Sequence, residues 1–166
     1  MMFLDGLTKS LGASNIRNCH LIADESVIKF IVARASHTVM PTFYSLAVAM
    51  AAYEMGYMEA AKTIIEPTNA SRVALKKLLA ESGLQHIIGK GYYAFINVGE
   101  FIQAKGWADS EPLGQYLAEN HGVAIVPGAF FSPFGADWVR FSYATPVERT
   151  EGAFQRLMEG LNSLKG

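Results

Sequence analysis

The chain has 166 residues, long enough for a domain with a buried core, and 51% of them are apolar against 17% charged, the balance of a globular protein. A net charge of −1 with no basic run excludes a nucleic-acid-binding face, and the opening MMFLDGLTKS has too short an apolar run for a secretory signal. One cysteine, Cys19, excludes an internal disulfide and fits a reducing, cytoplasmic setting.

In chain order, the first feature is DGLTKSLGASNIR, residues 5–17, a Gly/Ser/Asn-rich loop that holds Lys9 and Arg17. CHLIA (19–23) reads as a short strand. DESVIKFIVARA follows, with Val27, Ile28, Ile31, Val32 and Ala35 at helical spacing. From Ala35 to Tyr53 there is no Asp, Glu, Lys or Arg, over nearly the length of a membrane span. His37, Thr38, Pro41, Thr42 and Ser45 interrupt that run and favour a helix buried inside protein. Pro41 is expected to open this helix, TFYSLAVAMAAYEM, and Gly56 to close it. Pro67 is expected to interrupt the next helical stretch. Beyond it, ASRVALKKLLAES carries Ala74, Leu75, Leu78 and Leu79 on one stripe and stops at Gly83.

The second half alternates strands and helices. YYAFIN and GVAIVP read as strands, with the helix DSEPLGQYLAENHG between them, capped by Asp109 or Ser110 and ended by Gly122. WVRFSY is a further strand. In TPVERTEGAFQRLMEGLNSL, Thr145 and Glu148 have capping-box spacing and Pro146 takes the first helical position. Val147, Phe154, Leu157, Met158, Leu161 and Leu164 form its buried stripe. The pattern is α/β or α+β with a small sheet in the last third. His20, His37, His86 and His121 are scattered and show no metal-ligand spacing, so no metal site is expected.

Three stretches could carry chemistry. Lys9 offers an amine that condenses with carbonyls, Thr8 beside it a hydroxyl, and Arg17 a fork suited to phosphate. Together they suit a phosphorylated aldehyde. In WVRFSY, strand alternation puts Val139, Phe141 and Tyr143 on one face, and Trp138, Arg140 and Ser142 on the other. Arg140 is then either an exposed surface charge or a carboxylate fork on a rigid strand. VPGAFFSPFGADWVR (126–140) places Phe130, Phe131 and Phe134 in a turn-rich connection, as the wall of a pocket or interface.

DGLTKSLGASNIR resembles the Schiff-base lysine loop of the fold-type I pyridoxal-phosphate-dependent aminotransferases (class I/II, aspartate aminotransferase superfamily). GKGYYAF, HGVAIVPGAFF and WVRFSYATPVERTEGAFQRL are similar to C-terminal segments of that family, in the same order. The resemblance implies that Lys9 holds pyridoxal 5'-phosphate as a Schiff base and shuttles a proton between the substrate α-carbon and the cofactor's C4′. It implies that Thr8 and Arg17 hold the cofactor phosphate and that Arg140 binds the substrate α-carboxylate. Residues 36–38, SHT, lie where members approach the neighbouring subunit's phosphate.

The implied substrates are an amino acid and a 2-oxo acid, and the implied assembly is a homo-oligomer, with no nucleic acid or membrane as partner. The implied fold is α/β: residues 1–58 as the end of the cofactor-binding large domain, with the lysine loop, a strand and apolar helices. Residues 59–166 follow as an α+β C-terminal small domain, a short, mainly antiparallel sheet covered by helices. Members of the family run to more than twice this length, so the chain is expected to be the C-terminal portion, lacking an N-terminal domain and inactive alone. Gly6 stands where many members have serine, Asn18 and Cys19 replace a small Gly-containing stretch, and Lys90 precedes Gly91 where proline is common. A related pyridoxal-phosphate lyase or decarboxylase is the alternative within the fold, and a non-catalytic interaction or dimerisation module is the alternative outside it.

Overall fold

The computed structural model describes residues 1–35 and 42–165, in two compact units, Met1–Glu66 and Pro67–Gly166. The architecture is the expected mixture of helices and small antiparallel sheets. The division by compactness falls later in the chain than the boundary read between 58 and 59. Among the described residues, no helix is long and apolar enough to cross a membrane. The expected roles of residues 36–38 and of Pro41 lie outside the described residues.

In the first unit, β1 (Phe3–Gly6) pairs antiparallel with β2 (Cys19–Ile22), with Phe3 opposite Ile22 and Gly6 opposite Cys19. α1 (Leu7–Ser10) follows β1 directly and buries Leu7. Residues 5–17 are therefore not one loop. β1 has no periodic signal of its own and exists by pairing with β2. Gly12 turns the chain at φ 60°, and a Cβ there would lie 2.7 Å from Ile64 Cδ1.

α2 (Glu25–Ala35) starts at Asp24, whose Oδ1 accepts from the backbone N–H of Ser26 at 2.9 Å and from its hydroxyl at 2.7 Å. Those two bonds hold the Asp24 carboxyl below its usual range. α3 (Phe43–Glu54) is capped by Thr42, whose Oγ1 accepts from Ser45 N at 3.2 Å, and the chain leaves it through Gly56 at φ 87°. Within this chain the two helices stay largely uncovered. α2 buries no residue and α3 buries only Ser45 and Ala52. A two-stranded ribbon offers too little apolar surface to cover them.

α4 (Tyr57–Ser82) runs unbroken through Pro67. The expected interruption does not occur as a break in the helix, although Pro67 has no N–H to give to the carbonyl of Thr63. Pro67 is instead the residue at which the second unit begins.

The second unit follows as β3 (His86–Ile88), β4 (Tyr93–Asn97), α5 (Gly99–Ala104), α6 (Glu111–His121), β5 (Val126–Pro127), β6 (Trp138–Ser142) and α7 (Val147–Leu164). The strands form one antiparallel sheet in the order β3-β4-β6-β5. Ala94 and Ile96 of β4 stand opposite Phe141 and Val139 of β6. That sheet face joins Leu75 and Leu79 of α4, Leu113 and Leu117 of α6, and Phe154, Leu157 and Leu161 of α7 in one buried core. The helical stripes and the strand alternation are as the sequence reads.

The start of α7 differs from the reading, and at α6 one of the two capping candidates is used. Pro146 takes the cap position of α7 instead of the first helical one, so the helix starts one residue later than expected, and no side chain caps it. Thr145 Oγ1 bonds Thr150 Oγ1 at 2.9 Å, and the Thr145 carbonyl accepts from the buried Ser71 hydroxyl, so tertiary contacts take the place of a capping box. At α6 the carboxyl of Asp109 accepts from Glu111 N at 2.7 Å, while Ser110 makes no cap bond.

Candidate active site

The four residues singled out in the sequence fall into two groups, one per unit: Thr8, Lys9 and Arg17 in the first, Arg140 in the second.

In the first unit, the β1–β2 ribbon brings the two ends of the lysine stretch side by side. Leu7 N donates to Asn18 O at 3.3 Å across its mouth. Gly6, Thr8, Arg17, Asn18 and Cys19 line one pocket of about 260 Å³. Eight residues of chain thus return Arg17 to Thr8, and three of the four positions noted as unusual, Gly6, Asn18 and Cys19, complete the lining. None of the lining residues is acidic. A hydroxyl and a guanidinium fork are donors that a phosphate group accepts, so these side chains fit that part of pyridoxal phosphate. Lys9 follows Thr8 on α1 and is exposed.

The mount of this pocket was not legible in the sequence. Asn18 Nδ2 donates to Ser45 O on α3 at 3.3 Å. Tyr57, at the start of α4, donates its hydroxyl hydrogen to Asp5 Oδ2 at 3.0 Å and also hydrogen-bonds the Ser10 hydroxyl. The Tyr57 ring stacks on Tyr53 at 5.3 Å between centroids, and the Tyr53 hydroxyl meets His20 Nδ1 at 3.2 Å. Burial, with Asp5 adding to it, pushes the Tyr57 hydroxyl above its ordinary pKa, which keeps it a donor at neutral pH. Asp5, Ser10 and Tyr57 carry no spacing signal, because the last is separated from the others by α2 and α3.

In the second unit, Arg140 lies on the sheet face opposite the core, as alternation requires. Its register partners are Phe95 on β4 and Val126 on β5. The guanidinium carbon sits 4.2 Å from the centroid of the Tyr93 ring and 5.0 Å from that of Phe131. Phe131 in turn meets Phe95 edge-on at 5.7 Å. The two rings hold the fork by cation–π attraction and limit its rotamers. Among the described residues Arg140 forms no ion pair, so its donors are available to a carboxylate from outside the chain.

Phe131 arrives through the turn 128–135. A Cβ on Gly128 would lie 2.6 Å from Trp138 O and would strike the carbonyl of Gly135, and one on Gly135 would strike the carbonyl of Gly128. The two glycines let the ends of the turn touch. The sequence marked Phe131 through its cluster of three phenylalanines. Tyr93 carried no such mark. Among the described residues no group of three or more His, Cys, Asp or Glu could hold a metal ion.

Comparison with known proteins gives one family. The model of the family described as aminotransferase class I and II matches residues 1–157. An aspartate aminotransferase of Bacillus subtilis (strain 168) is 31% identical over 159 residues, covering 94% of this chain and 40% of that protein. A (5-formylfuran-3-yl)methyl phosphate transaminase of Methanocaldococcus jannaschii is 25% identical over 165 residues, 97% of this chain and 42% of that one. The crystal structure of an aminotransferase from Mycobacterium tuberculosis aligns with a TM-score of 0.84 at 23% identity, over 98% of this chain and 42% of that one, and shares its fold. The chain spans about two fifths of the length of the curated relatives it matches.

Proposed function

This chain belongs to the aminotransferase class I and II family, and we propose that it supplies the lysine, the phosphate clamp and the carboxylate fork for amino-group transfer between an amino acid and a 2-oxo acid. The observation that carries this reading is the pocket shared by Thr8 and Arg17, with Lys9 next in the chain. Thr8 Oγ1 and the Arg17 guanidinium would hold the phosphate of pyridoxal 5'-phosphate, and Lys9 Nζ would hold its aldehyde carbon. When bound, that cofactor supplies a ring that accepts the electron pair left as the α-C–H bond of the amino acid breaks. Once the substrate amino group has taken its place at that carbon and freed it, Lys9 Nζ would carry the proton from the substrate α-carbon to the cofactor's C4′ carbon. Arg140 would fix the α-carboxylate through two parallel bonds and so orient the α-hydrogen.

The chain alone is proposed to be inactive, since it spans two fifths of relatives that carry the reaction. Phe43, Tyr44, Leu46, Val48 and Met50, all exposed on α3, support assembly with further subunits. The amino donor stays open, because the relatives carry different substrate names.

The test is borohydride reduction of the chain with pyridoxal phosphate and, in parallel, with pyridoxal, followed by peptide mapping. The expected result is weak labelling in which Lys9 takes a larger share with the phosphorylated aldehyde than with pyridoxal. Arg17→Ala removes that difference, and no transamination is detected. Equal labelling by both aldehydes, spread over Lys29, Lys62, Lys76, Lys77 and Lys90, overturns the clamp.

A further inference from the structure

The lysine at the centre of the proposed site sits on a helix of only four residues. Such a helix, closed at its C-terminal end by the bond from Leu11 N to Leu7 O at 3.1 Å, is too short to hold its shape by itself. Its two ends are nevertheless tied to one distant side chain. Asp5 precedes the turn and accepts from the Tyr57 hydroxyl at 3.0 Å. Ser10 closes it and donates its hydroxyl hydrogen to the same phenolic oxygen, with the Gly6 carbonyl, 3.2 Å from its Oγ, as the other acceptor within reach of that hydrogen. One phenolic oxygen therefore bridges the residues on either side of Leu7–Thr8–Lys9.

We propose that Tyr57 is a positioning residue for Lys9: its hydroxyl clamps Asp5 and Ser10 and so fixes the direction in which α1 presents the lysine. The Tyr57 ring is itself fixed by stacking on Tyr53 and by its place in the first turn of α4. The close approach of Gly12 to Ile64 fastens the far side of the turn to the same helix. The raised pKa of the Tyr57 hydroxyl keeps the proton that its bond to Asp5 requires. This inference rests on the reading of Lys9 as the cofactor lysine, but the clamp itself can be tested without the cofactor.

The experiment compares the wild-type chain with Tyr57→Phe, Ser10→Ala and Ser10→Thr. Amide hydrogen exchange follows the Leu11 N–H, and reductive methylation with formaldehyde and borohydride measures the share of label at Lys9 against Lys29 and Lys62. Tyr57→Phe keeps the ring and removes only the bridge. The expected result is exchange about tenfold faster at Leu11, the loss of about one net hydrogen bond, together with a changed share of label at Lys9 and an unchanged ratio of Lys29 label to Lys62 label. Ser10→Ala should repeat both effects, and Ser10→Thr, which keeps the hydroxyl, should restore the wild-type values. Faster exchange with an unchanged Lys9 share makes Tyr57 structural only and overturns the proposal, as does an unchanged exchange rate. Should Tyr57→Phe fail to fold, the Ser10 pair decides by the same criteria. Loss of the phosphate dependence of Lys9 labelling in the wild-type chain would instead overturn the cofactor reading and leave the clamp to these measurements.

Discussion

At the scale of single residues, Arg140 and Gly128 show how different constraints meet at one sheet face. Arg140 gives a planar fork, and Tyr93 and Phe131 restrict it. In a complete enzyme carrying this segment, Arg140→Lys keeps the charge and loses the paired geometry, so the KM for the amino acid should rise about ten- to a hundredfold, the worth of one charge-assisted bond of about 1.5–3 kcal/mol. Steady-state kinetics with the amino donor varied is the measurement, and an unchanged KM removes Arg140 from the site. Gly128 acts through space alone. Gly128→Ala puts a methyl against two backbone carbonyls, and the turn must open to admit it. Urea unfolding should show a loss of about 1–3 kcal/mol. Gly89→Ala, with nothing within 4 Å of its Cβ, should stay within about 0.5 kcal/mol of wild type. The face of Arg140 was legible from strand alternation, whereas the two glycines' mutual contact was not, because it joins the ends of a turn whose path local sequence leaves free.

At the scale of elements, Pro67 is the informative case. Proline in a helix interior costs about 3 kcal/mol relative to alanine, through the missing N–H and the ring's clash with the preceding turn. α4 nevertheless continues, since Leu75 and Leu79 after Pro67 are fully buried in the second core and Ala61 before it is buried in the first unit. Pro67→Ala should therefore raise thermal stability by about 1–3 kcal/mol, read as a higher midpoint in far-UV circular dichroism. A lowered midpoint would mean that the helix needs its proline at the junction. α7 was read well because its stripe is long: Phe154, Leu157, Leu161 and Leu164 are all buried. Its start was misplaced because Thr145 is recruited by Thr150 and Ser71, from farther along the chain and from another helix. β3, three residues long, and α5, six, are too short for periodicity to register.

At the scale of the whole molecule, the two units differ in how much they bury. The second holds one cluster from Leu75 to Leu164. In the first, the buried apolar side chains among the described residues are Leu7, Ala52 and Ala61, while Phe43, Tyr44 and Met50 stay in solvent. Unfolding by urea should accordingly show two transitions, with part of the helical signal, that of the first unit, lost before tryptophan fluorescence. Trp107 and Trp138 both belong to the second unit, so fluorescence reports that unit alone. Coincident transitions would show that the units are coupled.

The sequence by itself determined the helical stripes, the alternation that turns Arg140 away from the core, and the family, because each is written in local spacing or in segments whose order survives divergence. The tertiary structure alone decided that Arg17 returns to Thr8 around one pocket, that Tyr93 and Phe131 frame Arg140, and that Tyr57 bridges Asp5 and Ser10. Those contacts join residues far apart in the chain, and no short-range pattern fixes which distant side chain fills a given space. The same reason explains α2 and α3. Their composition asks for burial, but whether a partner surface is there to provide it is a property of the fold and not of the segment.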